Sequence, residues 1–254
     1  MPTKKIVLIT GASAGIGSAC AHTFAGEGYD VILLARRAER LDALADELKN
    51  NYDVAVHKLV GDIRDRENME YLLETLPSPW KKIDVLINNA GLSQGLDPFD
   101  KASLTDWEVM IDTNIKGLLF VSRVVSAWMA ERRQGHIVNI GSIAGKEVYP
   151  NGNVYCATKH AVDALNKAMR IDLLPHGIRV TEINPGMVET EFSLVRFKGD
   201  AQRAKKVYDG FEPLHARDVA DAIWFAVSRP PHVNINEMLI MPSAQANSTT
   251  LIRD

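Results

Sequence analysis

The chain reads as an α/β protein. It is expected to form one doubly wound domain over residues 1–254, with a seven-stranded parallel sheet and helices on both faces. Three observations predict this. Seven short apolar runs alternate with six helical stretches from one end to the other, and such alternation builds a parallel sheet with right-handed crossovers. Several runs are nearly continuous in Val, Ile and Leu, as strands covered on both faces must be. The composition, 46% hydrophobic and 24% charged over 254 residues, supports one large buried core.

In chain order, strands are predicted over 5–10, 30–35, 54–60, 83–88, 136–141, 178–184 and 237–241. Helices are predicted over 15–27, 37–50, 65–76, 103–133, 153–174 and 216–228. Pro77 and Pro79 end the third helix, because proline lacks the amide a helix needs and restricts the residue before it. Residues 186–212 carry no strand pattern and are expected to fold as short helices over the site, as a lid. The tail, 242–254, is polar apart from its end and receives no assignment.

The same composition excludes several classes. A net charge of −3 with scattered basic residues does not suit a general nucleic-acid or membrane-surface binder. No apolar run approaches the ~18 residues of a membrane span. The first apolar run, Ile6 to Ile9, is too short for a secretory core. Cys20 and Cys156 make neither a disulfide framework nor a metal site. A soluble, cytoplasmic protein is expected.

The chemistry begins where strand one meets Thr10-Gly11-Ala12-Ser13-Ala14-Gly15-Ile16-Gly17 and a helix follows. Gly11 permits a tight turn, and Gly15 lets the backbone approach a pyrophosphate lying on the exposed amides of the helix start. Gly17 permits close packing of helix on sheet. Ser13, Ala14 and Ile16 complete this cofactor-binding loop. The spacing, G-x-x-x-G-x-G, is one residue longer than the commonest dinucleotide fingerprint. At the end of strand two, an acidic residue would bind a ribose 2′-hydroxyl, but this chain has Arg36-Arg37. Two guanidiniums suit a 2′-phosphate, which points to NADP(H) as cofactor.

Further candidates close strands three and four. Asp62 either accepts from an adenine amino group, with Ile63 flanking the ring, or caps its own turn. Asn88 and Asn89 brace the sheet edge, and Ala90-Gly91 lets the chain turn away beside the cofactor.

Tyr155 and Lys159 lie four residues apart, hence on one face of a helix. A phenol titrates near 10, and bringing it to about 7 takes roughly 4 kcal/mol. One cation about 4 Å away supplies about that much at an effective dielectric of ~20. The pair is therefore a candidate proton-transfer device.

In order and spacing, Thr10 to Gly17, Asp62, Asn88 to Gly91, Asn114, Ser142, Tyr155, Lys159 and Pro185-Gly186 resemble the short-chain dehydrogenase/reductase family over essentially the whole chain. The resemblance implies a Rossmann-type fold and a set of roles. Tyr155 would donate a proton to a carbonyl oxygen while NADPH delivers hydride. Lys159 would lower the Tyr155 pKa and bind the nicotinamide ribose. Ser142 would polarise the carbonyl, and Asn114 would hold a relay water. Pro185, Gly186, Val188 and Thr190 would join the cofactor contacts, and no metal is implied. It also implies a homodimer or homotetramer paired through the helices around 106–133 and 153–174. Ala157, Ala161, Ala164 and Ala168 place small residues at helical spacing on the second of these.

Within the family, residues 107–114, 152–155, 192–200 and 232–236 are most similar to NADP-dependent 3-hydroxy acid dehydrogenases, also described as serine 3-dehydrogenases or malonic semialdehyde reductases. A nearby branch reduces sulfoacetaldehyde to isethionate. All these substrates carry an anion, so Arg196 is the candidate clamp, unless it braces the lid or a subunit contact through a carboxylate. Lys198 and Lys205 are weaker candidates. Tyr149 either lines the pocket and donates to substrate or simply packs. The loop 187–192, with Glu189, and the segment 146–148 depart from the hydroxy acid branch. Overall likeness leans narrowly to sulfoacetaldehyde, with the hydroxy acids as the alternative. From another class, a non-catalytic NADP-binding regulatory protein is the competing reading.

Overall fold

The computed structural model describes residues 4–254; residues 1–3 of the N-terminal segment lie outside it. Seven strands, β1 (Ile6–Thr10), β2 (Asp30–Ala35), β3 (Val56–Val60), β4 (Ile83–Asn88), β5 (Gly135–Ile140), β6 (Ile178–Pro185) and β9 (Glu237–Ile240), form one sheet in the order β3-β2-β1-β4-β5-β6-β9. Every neighbouring pair is parallel. Strand β1 is buried at all its positions, which fits a strand covered on both faces. From β1 the chain winds outward to β3, then returns to β4 and winds the other way. The crevice at the carboxyl ends of β1 and β4 is therefore the topological switch point, where open α/β sheets bind ligands.

The helices α1 (Gly15–Gly26), α2 (Ala38–Asn51) and α9 (Ala216–Val227) cover one face. Phe24, Leu41, Leu48 and Ile223 are fully buried there. On the other face lie α3 (Arg66–Glu74), α5 (Leu118–Arg132) and α6 (Asn153–Leu173). Met69, Leu73, Val121, Val125 and Met129 fill that core. Each such side chain contributes about 1.5–3 kcal/mol by leaving water. Among the described residues no helix is long and apolar enough to cross a membrane.

Three segments differ from expectation. The predicted helix 103–133 is α4 (Leu104–Ile111), a π-helical turn (Asp112–Gly117), then α5. The Asn114 side chain inside the turn bonds the main chain of Leu92, across from the helix. Residues 186–212 are not free of strand. The short strand β7 (Val188–Glu189) pairs in parallel with β8 (Leu214–His215), and the helices α7 (Phe192–Arg196) and α8 (Ala201–Lys206) follow β7. A two-residue strand leaves too short a pattern to see in sequence. The unassigned tail folds back beneath this segment. Gln245 Oε1 accepts from Met187 N at 2.9 Å, and Asp254 N donates to Gly210 O at 2.8 Å.

One core residue predicts acid sensitivity. His136 on β5 is 2% exposed; its Nε2 meets Thr181 Oγ1 at 2.8 Å and its Nδ1 has no partner. Burial, helped by the Arg179 charge, pushes its imidazole down to about 3. The unfolded chain therefore takes up a proton at pH values where the folded chain does not. Stability falls as pH drops below about 6.5, and by pH 4.5 this site alone costs roughly 3 kcal/mol. Denaturant titrations should show the wild type losing that much more than His136→Gln between pH 7 and 4.5. Equal losses would contradict the assignment.

Candidate active site

Gly11 turns with a φ of 67°, and a Cβ there would stand 2.9 Å from the Ala90 Cα. Gly15 also has a positive φ, 53°, directly under the Thr190 side chain. The loop is fixed to the end of β4 by reciprocal bonds. Thr10 Oγ1 accepts from the amides of Asn89 and Ala90 at 3.0 and 2.9 Å, and Asn89 Nδ2 donates to Thr10 O at 2.9 Å. Asn88 braces the next strand, donating to Asn139 Oδ1 at 2.9 Å and Ser122 Oγ at 2.8 Å. Ser103 and Asp65 cap α4 and α3 with their side chains, but α1 has no side-chain cap. Its first amides have no side-chain cap and stand at the glycine loop, an arrangement that can accept a pyrophosphate.

The loop opens on a cleft of about 330 Å³. Gly11, Ser13, Ala14, Gly15, Ile16, Arg36, Arg37, Asp62, Ile63, Asn89, Ala90, Gly91, Pro185, Gly186, Val188 and Thr190 all line it, while Gly17 lies beneath, buried. Ser142, Tyr155 and Lys159 complete its inner end. Asn114, Tyr149 and Arg196 are not among the lining residues.

The mouth of the cleft is basic and partly neutralised. Arg36 is mostly exposed, 3.7 Å from Asp62. Arg64 holds Asp62 more tightly, at 2.6 Å, and its hydrogen bond keeps that carboxyl below its usual range. Arg37 donates to Ser13 Oγ at 3.1 Å and to Glu191 at 2.8 Å, and Arg40 meets Glu191 at 2.5 Å. Glu191 and Arg40 were invisible to sequence reasoning. Arg40 stands three residues after Arg37 on α2, a spacing that hints at a shared face. Glu191 lies about 150 residues away and gives no local signal.

At the inner end, Ser142 follows β5 and accepts from Ala144 N at 3.1 Å. Tyr155, in the first turn of α6, is 7% exposed and within hydrogen-bonding reach of Ser142. Lys159, one turn on, is equally buried and donates to Ile140 O at 2.8 Å. Burial lowers its ammonium to about 8, against the pull of Glu182. The Tyr155 phenol is shifted in the opposite direction. Burial pushes the phenol up, and the groups opposing this are the Arg196 charge and the Ser142 hydrogen bond.

The Arg196 guanidinium lies 5.3 Å from the Tyr155 ring centre and 5.0 Å from that of Phe192. It donates to Tyr149 Oη at 3.0 Å, and its Nε is buried without a partner. Burial raises the Tyr149 phenol as well. The Asn114 side chain is fully engaged: its Nδ2 donates to Leu92 O at 2.8 Å and Thr158 Oγ1 at 3.0 Å, and its Oδ1 accepts from Leu92 N.

A cleft with bare helix amides at one end and a buried phenol, hydroxyl and ammonium at the other is the plan of a pyridine-nucleotide oxidoreductase. The chain belongs to the short chain dehydrogenase family, whose pattern matches residues 5–200. It is 49% identical over 242 residues to NADP-dependent 3-hydroxy acid dehydrogenase YdfG of Salmonella typhi, covering 95% of this chain and 96% of that one. Sulfoacetaldehyde reductase 2 of Chromohalobacter salexigens is 44% identical over 95% of each chain. Among solved structures, the closed form of a serine dehydrogenase complexed with NADP+ superposes with a TM-score of 0.92 at 46% identity, over 98% of this chain and 99% of that one.

Proposed function

We propose that this protein uses NADPH to reduce the aldehyde of a small acid and NADP+ to oxidise the corresponding 3-hydroxy acid. NADP is the cofactor named for relatives and bound in the similar structure. The bare α1 amides, the glycine loop and the exposed Arg36 suit its pyrophosphate and 2′-phosphate. When bound, NADPH supplies the hydride that adds to the carbonyl carbon. Tyr155 gives its proton to the carbonyl oxygen, so carbonyl, hydride and proton together yield the alcohol. Ser142 donates to the same oxygen and holds it near the phenol. Lys159 binds the ribose hydroxyls from its place against Ile140. Asn114 positions the chain at Leu92 beside them. Residues 186–212 act as a lid.

The observation that carries the substrate class is Arg196. Its guanidinium lies behind the cleft lining, over the Tyr155 ring, with a buried Nε that no protein group partners, so its charge can draw an acid's anionic end toward the phenol. Tyr149 orients the guanidinium. The sequence alone leaned to a sulfonate, but the relatives named for 3-hydroxy acids are the more similar, at 49% against 44%. The carboxylate is therefore the first reading and sulfoacetaldehyde the second. A panel of malonic semialdehyde, sulfoacetaldehyde, serine and 3-hydroxybutyrate, followed by NADPH absorbance, separates them. A higher kcat/KM for sulfoacetaldehyde than for malonic semialdehyde would reverse their order.

Cofactor choice has its own test. Because Glu191 occupies Arg37, Arg36 is the freer cation for a 2′-phosphate. Arg36→Ala should cut the NADPH over NADH preference roughly ten- to a hundredfold, the worth of one charge-assisted bond. An unchanged preference would contradict this assignment. For the assembly, Ala157, Ala164 and Ala168 are exposed on α6. We read that face as a contact between copies of this chain.

A further inference from the structure

Beneath the active site, four polar residues stand side by side across neighbouring strands. Asn88 pairs with Asn139, Asn139 with Glu182, and Glu182 with Glu237. In-register residues of parallel strands share a face. This row faces α6, whose Asp163 shares Lys146 with Glu182. Glu182 has no exposed surface, and its Oε1 has no hydrogen-bond partner.

The charges around it do not balance among themselves. Lys146 Nζ lies 2.5 Å from Asp163, 3.1 Å from Glu182 and 2.9 Å from Glu237, and Lys167 lies 2.6 Å from Asp163. Two cations thus face three carboxylates. Asp163 and Glu237 can satisfy Lys146 and Lys167 alone, so the buried Glu182 is the surplus charge. A buried carboxylate without its own counter-charge is costly. Two further cations of α6 pack against this layer: Arg170, which donates to Val180 O at 3.3 Å and Asn236 O at 3.1 Å, and Lys159, one turn before Asp163 and held at Ile140 beside the Gly141 that Glu182 abuts.

The intervening main chain is thin. A Cβ at Gly141 would stand 2.5 Å from Glu182 Oε1, so the carboxylate lies against the chain between Ile140 and Ser142. Ile140 O holds Lys159, and Ser142 N donates to Asn184 Oδ1 at 3.0 Å, on the same strand as Glu182.

We propose that Glu182 is a positioning residue for the reaction: its carboxylate is the buried counter-charge of Lys159, holding the ammonium against Ile140. The opposing influences fit. Burial alone lowers Lys159, and Glu182 is what pulls it back up. Burial and the neighbouring Asp163 carboxyl push Glu182 up, while Asn184 and Lys146 hold it down. Lys146 itself is raised, its three carboxylates outweighing its own burial.

The inference rests on the role proposed above for Lys159, and the test keeps the two apart. In the wild type, kcat/KM for reduction should fall as pH rises through about 8, where Lys159 loses its proton. In Glu182→Gln this alkaline limb should move down by about one pH unit. The ratio of kcat/KM at pH 8.5 to that at pH 6.5 should then drop roughly five- to tenfold below the wild-type ratio. A loss that is equal at every pH would overturn the proposal, leaving Glu182 as mere support for β6. An unmoved limb would do the same. If Glu182→Gln does not fold, Glu182→Gln with Lys146→Met removes both buried charges while leaving Asp163 with Lys167. The same shift is expected there, and its absence counts equally against the idea. Lys159→Met separates the two readings. If it retains turnover within tenfold of the wild type, the role of Lys159 fails. If it is inactive while the Glu182→Gln limb stays in place, only the role of Glu182 fails.

Discussion

Replacing Tyr155 with Phe is expected to lower kcat for NADPH-dependent aldehyde reduction by about a thousandfold, within the usual range for removing a positioned acid. The ring stays and only the hydroxyl is lost, so the apolar cluster around Leu92, Met110 and Cys156 remains filled. NADPH should still bind, because the glycine loop and the basic mouth are untouched. Fluorescence titration of NADPH and steady-state kinetics on the same preparation check both halves. Turnover within tenfold of the wild type would remove Tyr155 as the proton donor. In the cofactor-free protein Tyr155 is a protonated group held ready to donate, with burial disfavouring its anion. Arg196 and Ser142 oppose that burial, so they ease formation of the phenolate as the proton leaves.

Arg196→Ala is the second large effect. A charge-assisted hydrogen bond to a carboxylate is worth about 1.5–3 kcal/mol, so KM for malonic semialdehyde should rise roughly ten- to a hundredfold. A neutral aldehyde of similar size should show little change in KM. Both substrates should lose some kcat, because the variant also removes a cation lying 5.3 Å from the Tyr155 ring. The contrast in KM between charged and neutral substrates is the diagnostic quantity. Equal effects on both would mean that Arg196 acts on Tyr155 and the lid rather than on the substrate. The packing of Arg196 over Tyr155, Phe192 and Tyr149 gives that alternative a definite structural form.

Much of the fold was legible because its signals are local. β2 and β4 span the predicted residues, 30–35 and 83–88, because each is built around a run of Val, Ile and Leu. The glycine loop was legible because a tight turn admits few residues, and Gly11 and Gly15 have the positive φ this requires. Tyr155 and Lys159 were legible as a pair because helical spacing places them on one face. What they touch was not. The preference of Lys159 for the Ile140 carbonyl, and of Arg196 for the Tyr155 ring, depends on β5 and α7 arriving from elsewhere in the chain. Glu191 reaching Arg37 and Arg40, and Glu182 reaching Lys146, are likewise contacts of tertiary packing. The tail was unreadable for a related reason, since Gln245 is held by Met187, 58 residues away, as well as by Pro242 and Asn247 beside it. Asn114 was seen as an interruption in a helix, but neither the π-helical turn that holds it nor its bonds to Leu92 leave a local signal.

The most direct test of the account is kcat/KM for NADPH-dependent reduction of malonic semialdehyde beside that of propionaldehyde, its neutral analogue. A fixed guanidinium beside a proton-donating phenol predicts that the acid is favoured by roughly a hundredfold. Equal rates for the two, or a preference for propionaldehyde, would contradict it.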